Sequence, residues 1–257
     1  MGESDINRGV TSAAENDSSE VSWRRLLWSS WRRKLYVLLI VAYSLASSLS
    51  ALYFNRTPEN LTSFAAVSTC LLTLLVGVRE RAVLQRTWAR LEWSPTKKLL
   101  LAGTLGAAYV ETEFEVWQHV FGASGIAANP NLLIDLLITM PWYVLMIAFL
   151  TVSLKHARPT LFQVLLLGGI YELMADGVLA SILAGRPLYY LLGLPLAVPI
   201  YTITYSPIVA LPVLAVWPSY RALWAVAPPR GSRAWLLFPC AAILIYGSFL
   251  FLVLFGH

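Results

Sequence analysis

Two pairs of carboxylates stand four residues apart inside apolar sequence: Glu111 and Glu115 in the stretch YVETEFEVWQH, and Glu172 and Asp176 in YELMAD. Four-residue spacing puts each pair on one face of a helix, and His119 extends the first face by another turn. Glu113, two residues from both members of the first pair, points nearly the opposite way and stands apart from the cluster. Asp135 is a further acid within an apolar run. A charged group in hydrocarbon costs at least about 2.5–3.5 kcal/mol on insertion scales, so acids placed there usually face a bundle interior and serve a function.

Carboxylates crowded together without cations do not all ionise. A protonated acid can give its proton to an alkene or a leaving group while a neighbouring carboxylate takes one back, which is acid–base catalysis. Glu111, Glu115, Glu172 and Asp176 are therefore the candidate catalytic residues, with Glu111 and Glu172 as the acid and base and the other two tuning them. Tyr109, Trp142, Tyr171, Tyr201 and Tyr205 accompany them, as do Trp117 and Tyr143. Aromatic faces stabilise a cationic intermediate, although the same rings also pack ordinary helices. The first five, with His119 and Asp135, are the candidate substrate-binding residues. Asp135 also suits the start of its helix, where a carboxylate meets the positive end of the dipole.

No cofactor is implied. A hard divalent cation is the second chemistry that the four carboxylates would suit, because such ions accept several carboxylate oxygens. Zinc or di-iron chemistry is disfavoured, since His119 is the only histidine near the acids and neither stretch carries ExxH.

These residues sit in a chain of 257 residues that is 58% hydrophobic and 13% charged. Soluble domains carry about 25% charged residues, so the composition is that of an all-α integral membrane protein. Apolar runs long enough to cross a bilayer occupy residues 35–54, 60–78, 98–118, 131–154, 159–184, 188–216 and 234–255. Seven transmembrane helices are expected. Residues 1–20 are polar and read as a disordered tail, 21–34 interleave Trp with Arg as an interfacial segment does, and 35–257 form the transmembrane domain. The first 34 residues lack the pattern of a signal peptide.

Lys and Arg are retained on the cytoplasmic side. In the seven-span arrangement 17 of the 19 fall on one side, and only Arg56 and Arg186 on the other. The N-terminus is then cytoplasmic and the C-terminus outside, with the sequons at Asn55 and Asn60 also outside. The net charge of +5 is thus a topology signal and not a nucleic-acid face. Cys70 and Cys240 lie in apolar runs without a CxxC, so neither a disulfide nor a redox site is expected. The sixth run holds Pro195, Pro199, Pro207 and Pro212 and is expected to be a proline-broken helix.

A rise of about 1.5 Å per residue puts Glu111 and Glu172 about 20 Å from the inner edge, and Glu115, Asp135 and Asp176 about 24–26 Å. All lie in one slab of the outer half, which predicts an acidic cavity there. The expected function is acid–base catalysis, of isomerase, hydratase or cyclase type, on a neutral lipid or isoprenoid. With only two arginines on that side, a phosphorylated substrate is disfavoured. A proton- or cation-coupled transporter or channel would use the same carboxylates and is the alternative. A non-catalytic membrane subunit is the third reading. The expected location is the cell membrane, or the endoplasmic reticulum in a eukaryotic cell, and nucleic acid is not an expected partner.

Overall fold

The computed structural model describes residues 31–175, 197–226, 229, 231–242 and 245–246. All regular structure among these residues is helical. The elements are α1 (Trp31–Phe54), α2 (Pro58–Arg79), α3 (Arg81–Ala89), α4 (Pro95–Phe121), α5 (Leu132–His156), α6 (Leu161–Leu173), α7 (197–204), α8 (Ser206–Val226) and a 3-10 helix (Arg233–Cys240). Leu35–Phe54, Pro58–Arg79, Leu132–His156 and Ser206–Val226 are long and apolar enough to cross a membrane, in keeping with an integral membrane protein. α4 has 27 residues and so spans about 40 Å, but it carries three acids along the way.

The helix starts are written locally. Thr57 accepts from the Asn60 amide at 3.3 Å and Ser94 from Lys97 at 3.4 Å, and each is followed by a proline whose missing N–H costs nothing at a first helical position. Thr160 and Gln163 form a reciprocal capping box. Gly122 ends α4 at φ 67°, a left-handed conformation suited to glycine.

α4 and α8 form the centre. α4 packs on α2, α5 and α8, while α8 packs on α2, α3, α4 and α6. Glycines set the closest crossings. A Cβ on Gly106 of α4 would lie 2.2 Å from the Pro207 carbonyl oxygen, and one on Gly169 of α6 would lie 2.5 Å from the Thr202 amide nitrogen. One on Gly168 would lie 2.8 Å from the Tyr205 carbonyl oxygen. Without a hydrophobic drive between helices in lipid, such backbone-to-backbone approach supplies the packing. α4 and α6 therefore meet the α7–α8 junction at residues with no side chain.

That junction is a turn at Tyr205, two residues before Pro207. Pro207 has no N–H to offer the Ile203 carbonyl. The Ser206 hydroxyl donates to it instead, at 2.8 Å, which satisfies the freed acceptor. Pro212 and Pro218 lie inside α8 without ending it.

Several boundaries differ from those expected. The basic stretch 79–98, expected as a loop, contains α3. The sixth run does not end at 216, because α8 continues to Val226, and residues 188–196 lie outside the described set. The seventh run opens as a 3-10 helix, and residues 247–257 lie outside the described set. The polar tail 1–20 and residues 21–30 also lie outside it, and α1 begins at Trp31, within the expected interfacial segment.

Candidate functional site

Along α4 the buried residues Ala107, Val110, Glu111, Glu115 and Gln118 recur at helical spacing, so two carboxylates share the inward face. Gly103 on that helix admits Ile147 of α5, whose side chain would sit 2.7 Å from a Cβ there. Two turns along α4 and one turn back along α5, the same register brings Glu111 to Tyr143. The Tyr143 hydroxyl donates to Glu111 Oε1 at 2.6 Å, with Glu111 only 8% exposed. This is the short distance of a hydrogen bond to a carboxylate.

Glu172 approaches from a third helix. It follows Gly168 and Gly169 by one turn on α6 and is 2% exposed. Its carboxylate lies near enough to the Tyr143 hydroxyl to act on it electrostatically, as does Tyr205 at the helix junction. Tyr205 stacks on Tyr201 at 5.6 Å and on Phe114 at 6.4 Å, so three aromatic rings adjoin the group. Tyr143 is thus hydrogen-bonded to the carboxylate of α4 and lies in the field of the carboxylate of α6.

Glu115 and Gln118 lie toward the α4–α5 loop. Glu115 is buried, with Oε2 accepting from Gln118 Nε2 at 3.4 Å and Oε1 lying 3.4 Å from His119 Nδ1. The His119 side chain is 64% exposed and its Nδ1 also bonds the Glu115 carbonyl oxygen at 2.9 Å, which places it at the rim. Gln118 Oε1 accepts from the amides of Ile126 and Ala127, both at 3.0 Å, and fastens the loop over the helix end. Asp135 is fully buried and accepts from the Asn129 amide at 3.0 Å. It does not cap α5. Asn131 does, accepting from Leu133 and Ile134, because a residue in the fourth helical position is too far along to reach the first free amides.

The other candidates are dispersed. Tyr109 faces α2, where its hydroxyl shares a 2.7 Å hydrogen bond with Thr73. Glu113 lies on that side as well and accepts from Trp117 Nε1 at 2.9 Å. Tyr171 donates to the Leu236 carbonyl at 2.5 Å and ties α6 to the 3-10 helix. Trp142 is buried beside Tyr143, with ring centroids 6.4 Å apart. Asp176 lies outside the described residues. Among the described residues no three His, Cys, Asp or Glu side chains gather as a metal-ion site, so Glu111, Glu115 and Glu172 do not form one by themselves.

Tyr143, Phe114 and Gln118 are the residues that sequence reasoning missed as site members. Tyr143 stands in the same layer as the acids, but six other aromatics do so equally, and only the α4–α5 register distinguishes it. Gln118 carried a local signal, being three residues after Glu115 on the buried face.

A carboxylate, a phenol and a second carboxylate in this order can pass a proton between two helices. The stacked rings beside them offer faces to a developing positive charge. No protein-family model matches the sequence, and no curated protein or solved structure matches it either.

Proposed function

We propose that this protein is a membrane-embedded acid–base enzyme, of isomerase, hydratase or cyclase type, acting on a neutral lipid or isoprenoid. The observation that supports the reading is that Glu111, buried on α4, accepts the Tyr143 hydroxyl at 2.6 Å, with Glu172, buried on α6, near enough to act on that hydroxyl electrostatically. Glu111, which accepts the Tyr143 proton in its hydrogen bond, is the base. Glu172 in its protonated form is the acid.

Glu172 transfers its proton to one carbon of a C=C bond, and the π electrons form the new C–H bond. The adjacent carbon becomes a cation that faces Tyr205, Tyr201 and Phe114. In an isomerase or cyclase the cation loses a proton from a neighbouring C–H to Glu111, directly or after a second alkene has closed a ring. In a hydratase, water adds to the cation and its extra proton goes to Glu111. Tyr143 returns the proton to Glu172 by accepting one while donating the other, so the protein ends as it began.

The same reading takes the chain through the bilayer seven times, N-terminus cytoplasmic and C-terminus outside, with the acids in the outer half. It places the protein in the cell membrane.

The test is deuterium uptake. Membranes containing the protein are incubated in D2O with a panel of unphosphorylated isoprenoid alkenes and alcohols, and products are read by mass spectrometry. Deuterium should enter the substrate carbon skeleton with the wild type. Glu111→Gln and Glu172→Gln should lose uptake while the folded protein persists, because Gln keeps the shape but cannot exchange a proton at neutral pH. Uptake that survives in both variants would overturn the assignment.

A further inference from the structure

A buried acid–base group can act repeatedly only if its protons exchange with solution. Glu111, Tyr143 and Glu172 are all buried. α4 offers steps out of the bundle at intervals of one turn. Glu115 follows Glu111 by four residues, and His119 follows Glu115 by four. Side chains so spaced on a helix are neighbours, about 5–6 Å apart at Cβ. The first two are buried, and the third reaches the surface beside the α4–α5 loop.

The bonding of each group fits a step. Glu115 Oε2 is taken by Gln118 Nε2. Oε1 is buried, makes no hydrogen bond among the described residues, and faces His119 Nδ1 at 3.4 Å. Nδ1 also bonds the Glu115 carbonyl oxygen at 2.9 Å. A carbonyl only accepts, so the ring proton is on Nδ1 and Nε2 is left as an acceptor. When Nε2 takes a proton from hydronium, leaving water, the Nδ1 proton can pass to Glu115 Oε1. A turn of the exposed ring then restores the starting tautomer. The Glu115 acid so formed hands its proton one turn inward to Glu111, which accepts from Tyr143.

Asp135 is the other buried carboxylate at this end, and α5 gives it no such series. Its Oδ1 holds the Asn129 amide, and Tyr143 lies two turns farther along. Thr139, between them, does not titrate and spends its hydroxyl on the Asp135 carbonyl at 3.0 Å.

We propose that His119 and Glu115 are a proton inlet, joining the Glu111–Tyr143 pair to the solution at the α4–α5 loop. Neither touches the substrate; both act through Glu111. The inlet rests on the catalytic reading for its purpose, since it resupplies the protons that reading consumes. Its test needs no substrate, so failure of the inlet is distinct from failure of deuterium uptake.

The experiment watches the Tyr143 hydroxyl. The full chain, its tyrosines labelled with heavy carbon at Cζ, is purified in detergent, and carbon NMR spectra are taken in an equal mixture of H2O and D2O. Tyr143→Phe and Tyr171→Phe identify the two signals. A hydroxyl that exchanges slowly gives separate lines for its O–H and O–D forms, and one that exchanges fast gives a single averaged line. Tyr171 is equally buried but donates to the Leu236 backbone carbonyl, so it should give two lines. Tyr143 should give one. Glu115→Gln and His119→Ala should each slow exchange at Tyr143 by about 100-fold or more, splitting its line, and leave Tyr171 unchanged. Added imidazole should restore the single line in His119→Ala but not in Glu115→Gln, which a merely structural role would not produce. A split Tyr143 line in the wild type, or a single line in either variant without imidazole, would overturn the proposal. So would an Asp135→Asn variant that splits the line as Glu115→Gln does. If Glu115→Gln does not fold, His119→Ala, at an exposed position, decides it with and without imidazole.

Discussion

Tyr143 of α5 donates a 2.6 Å hydrogen bond to Glu111 of α4, and the pair lies 32 residues apart in sequence inside an apolar bundle. Neither side chain explains its own burial. A phenol that finds an acceptor and a carboxylate that finds a donor each answer the other's desolvation.

Tyr143→Phe separates what that hydroxyl does for stability from what it does for chemistry. Removing it leaves Glu111 without this donor, and the expected loss is about 1–3 kcal/mol of stability. If the hydroxyl carries the proton between Glu111 and Glu172, deuterium uptake falls by about 100-fold or more in the same variant. A drop in melting temperature with unchanged uptake would leave Tyr143 a purely structural partner.

The glycines of the helix junction make a sharper test of packing. Gly106→Ala and Gly169→Ala put a methyl group 2.2 Å and 2.5 Å from backbone atoms of Pro207 and Thr202, and backbone cannot turn aside as a rotamer can. Each should cost about 1–3 kcal/mol, the cost of overpacking a tight core. Gly122→Ala is the control, since nothing lies within 4 Å of its Cβ position and only the left-handed φ of 67° opposes it. It should cost about 1–2 kcal/mol, the penalty of a side chain in the left-handed region alone. A junction variant as mild as the Gly122 variant would contradict the close crossing.

Gln118→Ala tests the loop. Two amides, from Ile126 and Ala127, lose their common acceptor, and the segment 122–131 should be cut faster by protease while the helical circular-dichroism signal stays constant. Unchanged cleavage would mean that the loop is held by other contacts.

The proposed orientation is open to labelling of intact cells. With Cys70 and Cys240 replaced by Ala, a single Thr87→Cys on α3 should be protected from an impermeant thiol reagent, and a single Ser124→Cys in the α4–α5 loop should react. Both positions are exposed, so protection reports the side of the membrane and not burial. The reverse pattern would invert the topology.

The helical, membrane character of the chain was legible in the spacing and composition of residues such as those of 35–54 and 131–154, because a bilayer constrains length and polarity directly. The helix starts at Pro58, Pro95 and Leu161 lie two or three residues from the run edges at 60, 98 and 159, because apolar length marks a span and not the capping residue, here Thr57, Ser94 or Thr160, that begins the helix. The shared face of Glu111 and Glu115 was legible, since local geometry dictates it. The selection of Tyr143 from the aromatics was not, because it depends on Gly103 meeting Ile147 across two helices. α3 escaped for another reason: nine residues with two arginines carry too few apolar positions to announce a helix, and its order comes from Gln85 and Trp88 packing on α8. Asp135 does lie in the first turn of α5, where its charge suits the dipole, but the residue that holds the free amides is Asn131.

The glycine contacts of α6 with the α7–α8 junction have a mechanical consequence. Two helices in backbone contact have no side chains between them to re-pack, so sliding or parting would break the whole interface at once. Gly168, Gly169, Thr202 and Tyr205 accordingly make α6 and the junction a single stiff lever, with Glu172 and Tyr205 at fixed separation on it. α5 meets its neighbours through deformable side chains such as Ile147, and it carries Tyr143. In an enzyme of the proposed kind, admission and release of a substrate would fall to the α5 side. The speed of that motion, rather than proton transfer, would then set the turnover rate.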